Sequence, residues 1–401
     1  MKRSRSKRRR ASAAWRDTRE VKADPARTAR ANWLVARAEL AELAAAVARG
    51  EKPAEQKIAS LAKAVRADSA ARAASAYDRL EALARLDELA GRTVLSRQEL
   101  LDWGTMLASC GRADAVAAFE RAMSAGQREA PSPSAGQFLA YAGALWAASQ
   151  PAPAADACDK ALAVLPKDDE RRLPALKLRA AALLRSPSQR DAAGRARLLA
   201  ALNDLVESDL PAEARRDALS QWVYAASDQG PWVILRSLAA QDELVKGSCY
   251  LLYSRAACRW SAMQAEALAA SKPAASRPSS QAGQQVLADL DAARAAAAPG
   301  DPILPRIILL KAKVLSGQAM HDPRAALAAL RDGREALAAD KEIMRQASWL
   351  RVGLLMDLGM VEEASKDLAA LPADALDELR ARLVGIQEQL AKATPSPATG
   401  P

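Results

Sequence analysis

The chain is short of the residues from which catalytic and metal centres are usually built. It has one histidine in 401 residues, four cysteines, and 4% aromatics with only two phenylalanines. His321 is therefore the sole candidate imidazole base. It sits in Gln-Ala-Met-His-Asp-Pro, a turn-like link where an exposed or capping role is expected. Cys110, Cys158, Cys249 and Cys258 show no C-x2-C spacing. They are too few for a disulfide framework, and with one histidine they assemble no zinc site. No two glycines lie two apart, so there is no G-x-G, and no G-x4-G-K-[ST] phosphate cradle occurs. The acidic runs Asp168-Asp169-Glu170 and Glu362-Glu363 precede or open helices, where carboxylates favour the helix dipole. Neither an enzyme, a cofactor nor a metal is expected.

No stretch approaches 18 uninterrupted apolar residues, so no transmembrane segment is expected. Ala-Ser-Ala-Ala-Trp-Arg-Asp-Thr-Arg-Glu follows the basic start and offers no apolar core for a secretory signal. A cytoplasmic location is expected. Cys158, at a core position, and Cys110, before a turn glycine, are read as buried thiols in a reducing compartment.

Alanine is abundant, at roughly a quarter of the chain; it is the best helix former and adds little apolar area. Strand-forming runs of Val, Ile, Tyr and Thr are nearly absent, so the expected class is all-α, with closely approaching helices rather than a thick core. Of the net charge of +10, seven positive charges fall in the first ten residues (Lys2, Arg3, Arg5, Lys7, Arg8, Arg9 and Arg10), which carry no acid. Residues 11 to 401 are close to neutral for their length.

Residues 1 to 28 read as a polar, disordered tail, and helical periodicity begins near Ala29. Trp33, Leu34, Arg37, Leu40 and Leu43 mark a helix ending at Gly50, and Tyr77, Leu80, Leu83 and Leu86 mark another that stops at Gly91. Phe138 to Pro166 is the most regular stretch. Phe138, Tyr141, Ala142 and Leu145 space out one amphipathic helix, Pro151 and Pro153 interrupt it, Ala154, Cys158 and Ala161 space out a second, and Pro166 closes the unit. Two segments echo it. Leu100, Trp103, Gly104 and Leu107 precede Gly111, Ala115, Phe119 and Ala122. Trp349, Val352, Gly353 and Met356 precede Gly359, Ala364, Leu368, Leu371 and Pro372. In both, the first glycine is placed at a close helix approach, the second in a turn needing positive φ.

This spacing resembles the tetratricopeptide repeat family. The resemblance covers roughly 100 residues directly, near 97–130, 135–168 and 346–375. It implies a superhelical solenoid of antiparallel helix pairs over residues 29–393, with a flexible insertion at 271–283 and a Pro/Ser tail at 394–401. Solenoids of this kind hold partners, so the resemblance implies a non-catalytic scaffold that takes a partner peptide or helix in a groove. The groove candidates are Gln98, Thr105, Trp146 and Asp357, with Trp103 and Trp349 assigned to repeat cores. Family members that hold acidic chaperone tails share a Lys-x3-Asn clamp; the matching positions here carry Leu101 and Thr105, Leu139 and Gly143, and Leu350 and Leu354, so that role is not expected.

The basic tail leaves three readings open: a solvated leader, nucleic-acid contact through phosphates, or contact with an anionic membrane. With no aromatic interleaved in the first ten residues, nucleic-acid contact would be sequence-independent. A second basic run, Arg171, Arg172, Lys177, Arg179, Arg185, Arg190, Arg195 and Arg197, reads as a solvated face balanced by flanking acids, with an anion-binding stripe as the alternative.

Overall fold

The computed structural model describes residues 25–91, 94–124, 132–269 and 280–369. Among these residues every regular element is a helix and none is a strand. This is the result expected from an alanine-rich chain with few β-branched runs. The described residues pack as two compact units, one ending at Leu198 and the other beginning at Leu199.

The first unit runs through α1 (Pro25–Ala48), α2 (Glu55–Arg66), α3 (Asp68–Ala73), α4 (Ala76–Ala90), α5 (Arg97–Ser109), α6 (Ala115–Ser124), α7 (Ala135–Ala147), α8 (Pro151–Val164) and α9 (Arg172–Arg185). A 3-10 turn at Pro187–Arg190 follows, and the unit boundary falls within α10 (Ala192–Val206). The second unit continues with α11 (Ala212–Ala225), α12 (Pro231–Ala240), α13 (Asp242–Lys246), α14 (Cys249–Ala269), α15 (Ser280–Ala296), α16 (Leu304–Ser316), α17 (Pro323–Asp332), α18 (Arg334–Leu337), α19 (Lys341–Asp357) and α20 (Val361–Ala369).

Helices pack on their sequence neighbours: α5 on α6, α7 on α8, α8 on α9, α14 on α15, α16 on α17 and α19 on α20. The first members of successive pairs also touch, α5 on α7 and α16 on α19. The Phe138–Pro166 segment accounts for the α7–α8 pair. Ala142 and Leu145 of α7 and Ala154, Cys158 and Ala161 of α8 are fully buried, while Phe138 and Tyr141 are half-buried. Tyr141 sets its ring 5.1 Å from that of Phe119 on α6. Pro151 opens α8, where its missing N–H leaves no hydrogen bond unmade. Burial lifts the Cys158 thiol to about 12, which makes it an inert core residue at neutral pH.

Capping boxes recur at the helix starts. Ser75, Ser96 and Ser134 each accept the amide of the residue three positions on, and Asp78, Glu99 and Gln137 reach back to the serine amide. The second box is also a clamp. Arg66 of α2 forks onto the Glu99 carboxylate with both contacts at 2.7 Å, and donates to the Val94 carbonyl at 2.8 Å. Asp87, 4% exposed on α4, accepts from the Leu95 amide at 3.2 Å, from the Val94 amide and from Arg121 of α6. One buried carboxylate therefore ties two helices and the loop between α4 and α5.

Several expectations are corrected. The first helix begins at Pro25, so residues 25–28 are helical, and 280–283 belong to α15 rather than to an insertion. Residues 1–24, 271–279 and 394–401, with Leu371 and Pro372, lie outside the described residues. Trp103 is buried, 5.3 Å from the Tyr77 ring. Trp349, assigned to a core, is 40% exposed. It shares the exposed side of α19 with Glu342 and Arg345, while Ala347 and Leu354 hold the buried side. Cys110, expected to be buried, is exposed because it is the C-cap of α5, beyond the apolar stripe. Gly111 and Gly359 do adopt positive φ, 68° and 74°.

Gly104 and Gly353 occupy equivalent sequence positions and different environments. A β-carbon at Gly104 would lie 3.0 Å from three atoms of the fully buried Phe119 ring; at Gly353 it would meet nothing within 4 Å. Gly104→Ala should therefore lose about 1–3 kcal/mol to overpacking. Gly353→Ala should gain about 0.5–1 kcal/mol from helix propensity. Chemical denaturation of the two variants checks the opposite signs.

Burial opposes the Glu99 carboxylate, but the hydrogen bonds from Arg66 and Ser96 outweigh it and lower its pKa from 4.5. A carboxylate with a depressed folded-state pKa stabilises above its unfolded value and loses that contribution as pH falls through the folded one. The stability gap between wild type and Glu99→Gln should be widest at neutral pH and close as pH falls below the ordinary glutamate value of 4.5 through the lowered folded-state one, measured by denaturation at each pH.

Candidate partner-binding grooves

Three of the four residues expected in a groove lie on neighbouring helices of the first unit. Gln98 and Thr105 are on α5 and Trp146 is on α7. The exposed Gln98 amide donates to Asp102 at 2.9 Å, and Gln137 of α7 donates to the same carboxylate oxygen at 3.1 Å. Asp102 thus joins the two helices across this face. Gln98 and Asp102 lie four apart on one helix face, so the sequence held that signal although Asp102 was not among the expected residues. The Thr105 hydroxyl donates to the Leu101 carbonyl of its own helix at 2.8 Å. Trp146 is half-buried, and the Arg185 guanidinium of α9 sits over its ring, 4.8 Å from the centroid. Such a cation–π contact is worth about 0.5–1 kcal/mol near a surface. It holds the indole in place and covers one of its faces. Asp357, exposed near the end of α19, belongs to the second unit. The positions of the Lys-x3-Asn clamp carry no lysine or asparagine, and Leu101 and Leu354 are buried.

Part of the second basic run is paired, while Lys177 and Arg190 are exposed, as a solvated face would have them. Arg171 forks onto Asp169, Arg172 donates to the Leu162 and Leu165 carbonyls at 3.3 and 3.4 Å, and Arg179 pairs with Asp159 at 2.6 Å. Arg197 bridges Asp156 and Asp159 at 2.8 and 2.6 Å. Arg172, Arg179 and Arg197 bind α9 and α10 to α8. Their partners lie 7 to 41 residues away, beyond the reach of local helical spacing.

The second unit contains two larger concavities. One, of about 560 Å³, is lined by Trp232, Met263, Glu266 and Gln285, with Arg255 and Arg259 on its wall. Trp232 is 56% exposed. Its wall is an ion network. Asp289 of α15, with 7% of its side chain exposed, accepts from Arg255 at 2.7 Å and from Arg259; Arg255 also reaches Asp242 at 2.6 Å. Burial alone would lower the Arg255 pKa, but its bonds to Asp289 and Asp242 outweigh that and raise it.

The other concavity, of about 970 Å³, opens among α17, α18, α19 and α20. Leu327, Leu330, Leu337, Met344, Ala347 and Leu355 line it, with Arg324, Arg331, Arg334, Arg351, Glu363 and Asp367. Arg324 and Arg331 lie seven apart on α17, two turns along one face, a spacing visible in the sequence. The convergence with Arg334 and Arg351 depends on how α18 and α19 pack.

His321 is exposed in the link before α17 with φ 49°, and its amide donates to the Gly317 carbonyl at 2.8 Å. Among the described residues no helix is long and apolar enough to cross a membrane. No family model and no curated protein matches this chain.

Asp289→Asn should destabilise the protein by roughly 3 kcal/mol, because it leaves the largely desolvated Arg255 and the half-buried Arg259 without their shared counter-charge. Asp242→Asn, at a side chain 43% exposed, should cost under about 1 kcal/mol. Urea denaturation of both variants tests the contrast.

Proposed function

We propose that this protein is a non-catalytic adaptor that holds a peptide or helix of a partner protein in a groove between helix pairs. The observation that carries this reading is the 970 Å³ concavity of the second unit, an apolar floor with an arginine-rich rim. Floors of this kind desolvate a partner's apolar side chains while rim charges set its orientation. The reading includes a finer architecture, helix pairs as tetratricopeptide-like repeats stacked in a solenoid. It is supported by the register of Phe138–Pro166, by the positive φ at Gly111 and Gly359, and by the contacts of α5 with α7 and α16 with α19. A cytoplasmic location fits the free thiols of Cys110, Cys158, Cys249 and Cys258.

A second reading draws on one specific feature, the seven positive charges of residues 1–10. A nucleic-acid-associated factor would take affinity from this tail, and binding would weaken steeply with salt.

Affinity capture from native lysate separates the two, with the wild-type chain and a variant whose seven tail cations are glutamine, each with and without nuclease. The adaptor reading expects the same protein partners in all four samples. Capture that requires both the tail charges and intact nucleic acid would reverse the order of the readings.

A further inference from the structure

The concavity among α17, α18, α19 and α20 carries a charge pattern that specifies its occupant. Arg351 faces Asp367 at 3.2 Å, and Arg331 faces its neighbour Asp332 at 3.1 Å. Arg324 and Arg334 are exposed and have no hydrogen-bond or ion-pair partner among the described residues. Two uncompensated guanidinium groups therefore stand over a floor that includes Leu327, Met344 and Leu355. Guanidinium groups favour planar, bidentate carboxylate partners. A floor of leucine and methionine suits aliphatic side chains of varied shape, since methionine repacks readily.

We infer that this groove takes an acidic amphipathic helix of a partner protein. The partner lays aliphatic side chains spaced i, i+3, i+4 and i+7 on the floor and directs Glu or Asp at its flank to Arg324 and Arg334. Some 970 Å³ accommodates one face of a short helix rather than a single side chain. A nucleic acid suits the groove less well. No aromatic ring lines it for base stacking, and Glu363 and Asp367 would face the phosphates. This assignment rests on the adaptor reading and gives it a partner chemistry.

The test uses the full chain and fluorescence anisotropy. The probes are a labelled 16-residue helical peptide with leucines at those spacings and glutamates on its flanks, the same peptide with lysines for the glutamates, and a 20-nucleotide single-stranded RNA. The expected result is binding of the glutamate peptide and at least about tenfold weaker binding of the lysine peptide. In Arg324→Glu/Arg334→Glu the glutamate peptide should lose at least about tenfold, because two rim charge pairs become repulsive. Both positions are exposed, and circular dichroism confirms that the variant is folded. Equal binding of the two peptides, an unaffected double variant, or displacement of the peptide by RNA overturns the assignment. So does self-association reversed by the glutamate peptide, which makes a second copy the occupant. Cross-links of Lys392 to the groove that the peptide abolishes overturn it too, making the chain's own C-terminal segment the occupant.

A display selection of random 16-residue peptides separates this proposal from the reading beneath it. Acidic amphipathic winners lost in the double variant support both. Winners of other chemistry that bind the double variant unchanged sink the groove assignment and leave the adaptor standing. A selection that yields no binder removes both.

Discussion

Small residues hold the buried faces of two helix pairs in the first unit. Ala142 of α7 and Ala154, Cys158 and Ala161 of α8 are fully buried, and Gly104 of α5 lies against the Phe119 ring of α6. Small contacts bring backbones close, but each buries little apolar area, and hydrophobic stabilisation scales with that area at roughly 25 cal/mol per Å². Pairs held this way form readily from adjacent helices.

Polar ties fix how the helices meet. Asp87 gathers a loop and Arg121, Asp289 gathers Arg255 and Arg259, and Arg66 grips the capping box of α5. A buried ion pair rarely adds net stability over an apolar one, but breaking it is costly, so such ties specify which surfaces meet. The basic run from Arg171 to Arg197 plays the same part nearer the surface, with α8 supplying Asp156 and Asp159. These arginines hold helices together, whereas Arg324 and Arg334 have no side-chain hydrogen-bond or ion-pair partner among the described residues.

The two units divide the expected site residues. Gln98, Thr105 and Trp146 lie on the α5–α7 face, where hydrogen bonds through Asp102 and a stacked guanidinium already engage much of their capacity. In the second unit Trp232 is exposed beside one concavity, and Arg324 and Arg334 at the other have no side-chain partner among the described residues. A functional reading built on polar groups that still lack partners therefore weights the second unit more heavily than the residue pattern did.

The sequence by itself determined the helical class, the α7–α8 pair, the turns at Gly111 and Gly359 and the burial of Cys158. All follow from local periodicity and backbone preference, which act over a few residues. Tertiary structure decided the rest. Gly104 and Gly353 are alike in sequence, yet one meets a buried ring and the other open space. Trp103 and Trp349 hold corresponding positions, yet one is buried and the other exposed. The clustering of Arg324, Arg331, Arg334 and Arg351 needs three helices to converge. Periodicity states which residues share a face of one helix. Which face another helix covers depends on packing between residues far apart in the chain.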